Sequence, residues 1–528
     1  MKSPLIRTVV GMMAAWIIVF ATVAVFRPLM PVDETRYMSV AWEMIVRGNW
    51  VLPTLNFEPY SHKPPLLFWL INLSWLFGGV HVWPARIVAF ALTALFVWLS
   101  GKLARRLLPE IPNADVSTML CLAALPMFLI YGSVIMFDTM MGACVLAAML
   151  VLWRLAQSDT REWRLWAVFG GIIGLGILAK GPVALVYMLP AALLAPLWAP
   201  SITRRWYAGL FAALAMGAAI GLAWAIPAAI AGGPEYMDKI FFKQSAGRMV
   251  NAFDHRRPFW FYFMVLASFL APLVLWPSLW SSVKQAAAGM RKEASVRFIL
   301  SWILPVFVFF SAISSKQFHY MIPILPGFVI LAVMALNRSH MPRLSSVGIP
   351  MALMLIPSLI IMLCGIAGLP LMKMEIPQAS LHFGYLQIAL TAVIVWWTSR
   401  SPGRIFNGLA LAAFVMVVMT HAQLGQRFLP RYDLMPIRDA VAQYRDRPMA
   451  AAPKYDGEYG YALRLTHHVD SVGRENVAEW FAANPNGVMI GRYKEGKVPD
   501  EYEILHQQIF RTEEVLVIMQ RMVMVGSK

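Results

Sequence analysis

The sequence predicts an α-helical protein that crosses a membrane many times. Of its 528 residues, 59% are hydrophobic and only 14% are charged, against about 25% charged residues in soluble domains. The mean hydropathy is +0.61. Apolar runs of about 20 residues, the length that crosses a bilayer, recur along most of the chain. No soluble core needs this much apolar surface, so we expect a polytopic membrane protein.

Length and flanking charge predict about thirteen membrane spans. The first apolar run, from Thr8 to Phe26, resembles a signal peptide but lacks a small-residue cleavage site, so we expect an uncleaved span. Lys180-Gly181-Pro182 fits either a tight turn between two spans or a break within one longer hairpin. The predicted spans are 8–27, 83–104, 116–136, 139–156, 164–180, 182–200, 206–228, 259–280, 296–315, 320–337, 347–368, 383–398 and 404–422.

Lysines and arginines predict the orientation of the chain. With the N-terminus in the cytoplasm, basic residues such as Lys102 and Arg105 lie inside, as the positive-inside rule requires. The same orientation places the loops 28–82 and 230–258 outside, on the periplasmic side of a bacterial inner membrane. The net charge of +17 indicates orientation and contact with anionic lipid, because the cations are scattered singly between apolar runs. A nucleic acid is therefore not an expected partner.

The chain is predicted to form two domains. Residues 1–427 form the transmembrane domain, and residues 428–528 form a small periplasmic α/β domain. Short β-prone stretches at 487–490 and 514–519, close to a helical segment from 477 to 483, indicate the second domain.

The first outside loop is predicted to contain a helix. Its apolar residues recur at helical spacing between Thr35 and Arg47, which fits a helix lying along the membrane interface. These apolar residues are Met38, Ala41, Trp42, Ile45 and Val46.

Ionisable residues gather at the predicted outer ends of the spans. Such groups are costly at membrane depth, so they are candidate site residues. Asp138 follows the apolar residues 135–137, and Lys180 follows the apolar residues 177–179. A basic cluster beside carboxylates at the bilayer surface suits an anionic head group such as phosphate. The ionisable residues on this side are Asp33, Glu34, Arg36, His62, Lys63, Asp138, Lys180, Arg248, Asp254, His255, Arg256, Arg257, Lys316 and His319.

Sugar transfer from a lipid carrier suits this set of residues. A carboxylate can accept the proton of an attacking hydroxyl, while the cations stabilise the departing phosphate. Each residue also has a simpler interpretation. Asp33, Glu34 and Asp138 could cap helix ends, and Lys63 and Lys180 could be interfacial lysines that reach towards head groups. The loop histidines are more often hydrogen-bonding residues than metal ligands.

Several motifs on this face occur in a fixed order. They are Pro31 to Tyr37 (PVDETRY), Arg47 to Pro53 (RGNWVLP), Tyr60 to Pro65 (YSHKPP), Phe137-Asp138, Ala179-Lys180-Gly181, Arg248 and His255 to Tyr262 (HRRPFWFY). Together they resemble the lipid A aminoarabinose transferases (ArnT) and the related dolichyl-phosphate-mannose-protein mannosyltransferases. These are membrane glycosyltransferases of the GT-C superfamily, so the resemblance implies a GT-C fold.

The resemblance also implies roles for individual residues. Asp33 would be the leading catalytic carboxylate, and Asp138 a second acidic residue near the reacting centre. The polyprenyl phosphate would be held by Lys63, Lys180 and Arg248, with Tyr320 as a further ligand. The same motifs add Glu34 to the catalytic candidates, and Arg36, Tyr60, His62 and His255 to the substrate-binding candidates.

Some positions depart from the family pattern. His62 stands where the family usually has glutamate, and the family's loop histidine falls near Ser245, which argues against a zinc site built on those two residues. The sequence Lys316 to Tyr320 (KQFHY) replaces the family's Lys-Leu-Pro-Thr-Tyr and suggests altered substrate contacts. No metal ligand is assigned; the sequence requires no cofactor and leaves a divalent metal open.

The predicted function is inverting transfer of a sugar from a polyprenyl (undecaprenyl) phosphate to an envelope acceptor, lipid A or another lipopolysaccharide component. Protein, O-antigen or another polysaccharide would be acceptors for the same chemistry. A transporter or flippase for a lipid-linked sugar is the alternative of another class, but it would place charges near mid-span and show matched halves. A non-catalytic assembly factor for envelope polymers is a further alternative.

Overall fold

In the computed structural model, the chain folds into two compact units. The first comprises Met1–Thr22, Ser61–Leu359 and Gly384–Thr420; the second comprises Val23–Tyr60, Ile360–Phe383 and His421–Lys528. The residues that the structure describes are 4–158, 162–242, 257–339, 344–372, 374–512 and 514–522.

Helices make up most of the described chain up to residue 425. They are α1 (Pro4–Phe26), α2 (Asp33–Val46), α3 (Leu66–Gly78), α4 (Val82–Leu107), α5 (Ala114–Ala123), α6 (Pro126–Gly132), α7 (Phe137–Gln157), α8 (Trp163–Lys180), α9 (Val183–Leu193), α10 (Arg204–Asp238), α11 (Phe261–Phe269), α12 (Ala271–Val274), α13 (Pro277–Met290), α14 (Ala294–Ala312), α15 (Leu325–Arg338), α16 (Gly348–Leu353), α17 (Ile356–Ile366), α18 (Gln378–Thr398) and α19 (Ile405–Gly425). A 3-10 segment, Phe318–Ile324, precedes α15.

The chain is a multi-pass membrane protein. Within the described ranges, eight helical segments are long and apolar enough to cross a membrane, and a ninth span results if the bent pair α5 and α6 is counted as one. The eight segments are α4, α7, α8, Arg204–Phe242, α14, Phe318–Arg338, α18 and Pro402–Gly425. Each of them overlaps a span predicted from the sequence.

Of the other five predicted spans, the first overlaps α1 (Pro4–Phe26) and four contain shorter or broken helices, so the count of thirteen stays a prediction. In the predicted span 116–136, α5 and α6 meet at an angle of 81° just before Pro126. The predicted span 259–280 is divided between α11, α12 and α13, and a proline lies in the first turn of both later helices. Proline ends the preceding helix because it lacks the amide hydrogen and collides with the turn before it.

The structure decides the ambiguous segment around Lys180. Helix α8 ends at Lys180 and α9 begins at Val183. Gly181 between them has a φ of +81°, a left-handed conformation that glycine adopts without a side-chain clash. The segment is therefore a tight turn between two separate helices, and it fixes the lysine at the very end of α8.

Two short antiparallel strands, β1 (Thr54–Leu55) and β2 (Glu58–Pro59), follow α2. A five-stranded mixed sheet of strands β3 to β7 lies in the last hundred residues. Its spatial order is β4-β3-β5-β7-β6, with β3 parallel to β4 and β5, and β7 antiparallel to β5 and β6. The strands are β3 (Met449–Ala452), β4 (Asp470–Ser471), β5 (Val488–Lys494), β6 (Tyr502–Phe510) and β7 (Glu514–Arg521). The stretches predicted at 487–490 and 514–519 overlap β5 and β7, and the predicted helical segment is α22 (Val477–Ala483), which follows α20 (Met435–Val441) and α21 (Gly460–Leu463).

Alternate residues of this sheet fill two cores. Val488 and Ile490 of β5 point to the core that contains α20 and α21, whereas Met489 points to the core that contains α22. This alternation is the period of two expected of a strand buried on both faces. The second unit also includes residues 23–60 and 360–383, so it extends beyond the predicted domain 428–528.

Candidate active site

Asp138 lies in the first turn of α7, where an acidic side chain is stabilised by the positive end of the helix dipole. Its side chain is only 3% exposed. A carboxylate at this depth is costly unless a cation and hydrogen-bond donors compensate it. The partners of Asp138 therefore decide whether it is a simple helix cap or part of a site.

Lys180 is the principal partner of Asp138. Its ammonium donates a hydrogen bond to the Oδ1 atom of Asp138, and its own side chain is 6% exposed. The pair joins the last residue of α8 to the first turn of α7. Because both groups are buried, their attraction is much less screened than that of a surface ion pair.

Two aromatic rings contact the lysines of this site. The Nζ atom of Lys180 lies 4.9 Å from the centre of the Tyr320 ring, and the Nζ atom of Lys63 lies 5.6 Å from the centre of the Phe137 ring. Lys63 also attracts the Asp138 carboxylate electrostatically. Ring faces attract cations at these distances, so two ammonium groups are placed close to one carboxylate.

His319 is a further member that the predicted set of site residues did not include. Its Nε2 atom lies 4.0 Å from the Oδ2 atom of Asp138, whereas Lys180 donates to the Oδ1 atom. Its ring meets the Tyr320 ring edge-on, with ring centres 5.0 Å apart. The sequence placed His319 on the outer face, and its position next to Tyr320 was the signal for its role.

The balance of charge at this cluster favours an anion. Asp138 supplies one negative charge, and Lys63 and Lys180 supply two positive charges. Lysine ammonium groups beside an apolar bilayer are a typical phosphate-binding arrangement. A phosphate group is therefore a suitable ligand for the cluster.

Asp33 and Glu34, the neighbouring acidic residues of α2, have different surroundings. Asp33 is 54% exposed, and its carboxylate lies 3.9 Å from the guanidinium of Arg36. Glu34 is 1% exposed, lies 3.4 Å from the guanidinium of Arg27, and accepts a hydrogen bond from the backbone of Met30. Glu34 thus fixes the entry into α2, while the side chain of Asp33 is exposed.

Arg36 connects the start of α2 to the C-terminal part of the second unit. Its Nε atom donates a hydrogen bond to the carbonyl of Asp456, 3.0 Å away. Further along α2, the indole of Trp42 donates to the carbonyl of Leu465 at 2.8 Å. Helix α2 is therefore anchored at both ends, which fixes the position of Asp33 within this unit.

The helix predicted in the first outside loop is present as α2, but its apolar face is covered by protein. Met38 and Ala41 are fully buried, and the hydroxyl of Ser39 between them accepts a hydrogen bond from the backbone of Tyr461. The covering residues are more than 400 positions away in the sequence, so hydrophobic spacing alone could not reveal them. Contact of α2 with the membrane interface stays a prediction.

Two buried carboxyl groups of the second unit make its stability dependent on pH. Burial raises the pKa of Glu43 and of Glu458 above the usual range, and hydrogen bonds to Glu43 and the charge of Arg492 beside Glu458 offset this only in part. A raised pKa means that the folded state binds protons more tightly than the unfolded state does. The stability that the two protonated carboxyl groups contribute is therefore present in full below about pH 4.5, and it falls as the pH rises towards the raised pKa values.

We expect Glu458→Gln to reduce this dependence. The thermal unfolding midpoint of the purified protein should fall less between pH 5 and pH 7 in the variant than in the parent protein. The exposed Glu503 offers a matched control, because Glu503→Gln should leave the difference between the two pH values unchanged. Equal pH dependence in the Glu458→Gln variant and the parent would contradict the assignment.

The remaining predicted site residues fall into three groups. His62 is exposed next to the half-buried Lys63. Tyr60 is 5% exposed and lies in the second unit. Arg248 and His255, like Ser245, lie outside the described residues. Within the part of the chain that the structure describes, no group of three or more His, Cys, Asp or Glu side chains is arranged to hold a metal ion.

Sequence comparison places the cluster in a known context. Residues 62–230, which contain Lys63, Asp138 and Lys180, match the family described as dolichyl-phosphate-mannose-protein mannosyltransferase. An undecaprenyl phosphate-alpha-4-amino-4-deoxy-L-arabinose arabinosyl transferase 2 of Proteus mirabilis is 29% identical over 308 residues, 57% of this chain and 54% of its own length. The matched segment thus spans about half of that relative.

Two further similarities extend over more of the chain. An arabinosyl transferase of the same description from Pseudomonas paraeruginosa is 28% identical over 452 residues, 82% of this chain and 78% of its own length. The crystal structure of ArnT from Cupriavidus metallidurans bound to undecaprenyl phosphate superimposes with a TM-score of 0.71 over 99% of both chains, at 20% identity. The chain has the ArnT fold.

The apo structure of the same Cupriavidus ArnT gives the same result, with a TM-score of 0.73 over 98% of both chains. The resemblance to ArnT that the sequence motifs predicted is therefore confirmed. The ArnT fold also accounts for the arrangement in which many helices precede a sheet in the last hundred residues.

Proposed function

We propose that this protein is a glycosyltransferase that moves a sugar from a polyprenyl phosphate, of the undecaprenyl type, to an acceptor of the bacterial envelope. The observation that carries the proposal is the cluster of the buried Lys180 and Asp138 with the half-buried Lys63. Two cations beside a single carboxylate, at the ends of apolar helices, fit the phosphate of a lipid whose chain remains in the bilayer.

The charge of the donor phosphate changes during the proposed reaction. The acceptor oxygen attacks the anomeric carbon from the face opposite the phosphate, and the bond between that carbon and the phosphate oxygen breaks with inversion. The bonding electrons leave with the lipid phosphate, which changes from a singly charged diester to a doubly charged monoester. Lys63 and Lys180 stabilise this added charge, together with Arg248 by family resemblance.

The resemblance assigns Asp33 the part of the leading carboxylate. For a hydroxyl acceptor, Asp33 accepts the proton that the attacking oxygen loses. For a phosphate acceptor, the oxygen is already ionised and Asp33 orients it. Exposure of the Asp33 side chain supports either role, because the group is accessible to a substrate. The burial of Glu34 with Arg27 favours a supporting role for that residue.

Lipid A or another lipopolysaccharide component is the acceptor that we propose first. This choice rests on the relatives named for transfer from undecaprenyl phosphate-aminoarabinose. Transfer to a protein or to another polysaccharide uses the same chemistry. We further propose that the protein lies in the inner membrane with its active site facing the periplasm, in line with the positive-inside rule.

A transporter of lipid-linked sugars is less well supported. A transport path places ionisable groups near the middle of the membrane, commonly at helices broken in matching positions of two halves. Here Asp138 belongs to the first turn of α7 and Lys180 to the last turn of α8. Groups at helix ends suit a reaction at the membrane surface.

The proposal can be tested with the purified protein in vesicles that contain a radiolabelled polyprenyl-phosphate sugar and envelope lipids. Asp33→Asn and Lys63→Ala should each lower transfer at least tenfold, because each removes a charge assigned to the reaction. The matched controls are Asp439→Asn and Lys284→Ala, which change exposed residues and should retain activity. Full transfer by both test variants would refute the catalytic assignment.

The acceptor requires a separate measurement. Lipid A from strains with and without the gene should differ by the mass of one sugar residue. An unchanged lipid A profile in strains that retain transfer activity in vesicles would exclude lipid A and direct the search to polysaccharide or protein acceptors.

A further inference from the structure

The two oxygens of the Asp138 carboxylate face different partners. Lys180 donates to Oδ1 from the end of α8, whereas the Nε2 atom of His319 faces Oδ2 from the 3-10 segment Phe318–Ile324 at 4.0 Å. At this distance the imidazole interacts electrostatically with the carboxylate without forming a direct hydrogen bond. Each oxygen of Asp138 thus faces a residue from a different element.

His319 is fixed in its position by Tyr320. The side chain of His319 is 12% exposed, and its ring lies at 79° to the Tyr320 ring. The carbonyl of Tyr320 accepts a hydrogen bond of 2.9 Å from the hydroxyl of Tyr187. The face of the same Tyr320 ring contacts the ammonium of Lys180. Contacts therefore run in a closed ring from Asp138 through Lys180 and Tyr320 to His319 and back to Asp138.

From this geometry we infer that His319 is a positioning residue for the phosphate-binding ammonium of Lys180, and that it acts through Asp138. With His319 opposite Oδ2, the carboxylate is oriented so that only Oδ1 engages Lys180. The ammonium has three N–H donors, so it retains donors for a phosphate oxygen. Without the imidazole, the carboxylate is free to turn both oxygens towards Lys180 and compete with the phosphate.

This inference rests on the proposed function and adds a residue to it. It predicts weaker binding of the donor and a slower chemical step, because the ammonium contacts the phosphate before the reaction and stabilises the added charge during it. Both losses should be recovered by a residue that restores a polar N–H group at this position, which a role in packing alone would not require.

Two substitutions of His319 separate the imidazole nitrogens from the ring. His319→Phe keeps a ring against Tyr320 but removes the nitrogens, and should lower kcat/KM for a polyprenyl-phosphate sugar about tenfold. His319→Gln restores an N–H donor of similar reach, and its kcat/KM should lie within about threefold of the parent value. The assay uses the full-length protein in vesicles.

Direct binding of polyprenyl phosphate, without a sugar, distinguishes failure of the proposed function from failure of the inference about His319. If the parent protein neither binds this lipid nor transfers sugar, the proposed function fails. If the parent does both and His319→Phe binds the lipid with unchanged affinity and has an unchanged kcat/KM, only the inference about His319 fails. Equal loss of thermal stability and of activity in the Phe and Gln variants would likewise overturn it in favour of packing.

Discussion

Replacing Lys180 by methionine is expected to lower sugar transfer about 100-fold to 1000-fold, the usual effect of removing one donor to a developing negative charge. The same change should lower the free energy of unfolding by about 3 to 5 kcal/mol. The reason is that Asp138, with a side chain only 3% exposed, loses the cation that donates to it. Methionine preserves much of the length and apolar surface of lysine, so the effect isolates the charge.

A double variant separates the structural part of this effect from the chemical part. In Asp138→Asn with Lys180→Met, both charges are absent, so the unfolding free energy should return to within about 2 kcal/mol of the parent value. Transfer should remain at the level of the Lys180 variant, because the phosphate still lacks its ammonium. Thermal unfolding followed by tryptophan fluorescence, combined with the transfer assay, measures both quantities.

The matched control is Lys102→Met, which removes an exposed lysine that contacts Trp98 near the end of α4. It should retain both stability and activity, since exposed charges contribute little. If the single Lys180 variant were as stable as the double variant, the buried ion pair would be refuted. If it transferred sugar at the parent rate, Lys180 would have no part in phosphate binding.

The sequence was informative about the cluster because its charges interrupt apolar runs. Lys63, Asp138 and Lys180 each occur beside an apolar helix, where solvation alone cannot explain an ionisable residue. The structure brings these three together with Tyr320 in the first unit. The lengths of the apolar runs also predicted the long spans, because a helix needs about 20 apolar residues to cross a bilayer, whatever it packs against.

Other features depend on contacts that no local pattern contains. The bends at prolines depend on whether neighbouring helices compensate the lost backbone hydrogen bonds. The local sequence does not show which helices are neighbours. His319 faces Asp138 across 181 positions of sequence. Asp33 and Glu34 are neighbouring acidic residues that the sequence alone does not tell apart. They point about 100° apart around the helix axis, so Asp33 is exposed and Glu34 is buried.

The anchoring of α2 was likewise hidden from the sequence, and it leads to the second large effect. Between β1 (Thr54–Leu55) and β2 (Glu58–Pro59), Asn56 and Phe57 form a hairpin turn with φ values of 57° and 64°. Asparagine tolerates this left-handed conformation, but phenylalanine is strained in it. The carboxylate of Glu43 accepts both backbone N–H groups, at 2.7 Å and 2.8 Å, and so stabilises the turn.

The same turn connects α2 to the C-terminal part of the second unit. The side-chain amide of Asn56 donates to the carbonyl of Val469 at 2.9 Å, and its oxygen accepts from the backbone of Val469 at 2.8 Å. The carboxylate of Glu43 therefore stabilises the turn that presents Asn56 to Val469, 413 positions away in the sequence.

We expect Glu43→Leu to lower the unfolding free energy of the second unit by about 3 to 5 kcal/mol, because two N–H groups lose a charged acceptor and each such bond contributes about 1.5 to 3 kcal/mol. Hydrogen exchange at the amide of Val469 should accelerate in parallel, since the turn that supports Asn56 is lost. The measurements are denaturant unfolding and amide exchange on the purified protein.

Two further variants test the cause of this loss. Glu43→Gln keeps one acceptor oxygen, so it should lose about half as much stability as Glu43→Leu. Phe57→Gly relieves the left-handed strain and should restore about 1 kcal/mol or more in the Glu43→Leu background. If Gln and Leu at position 43 were equally damaging and Phe57→Gly restored nothing, burial of Glu43 and not its capture of the turn would govern stability. The anchoring of α2, and with it the fixed position of Asp33, would then depend on Trp42 and Arg36 alone among these contacts.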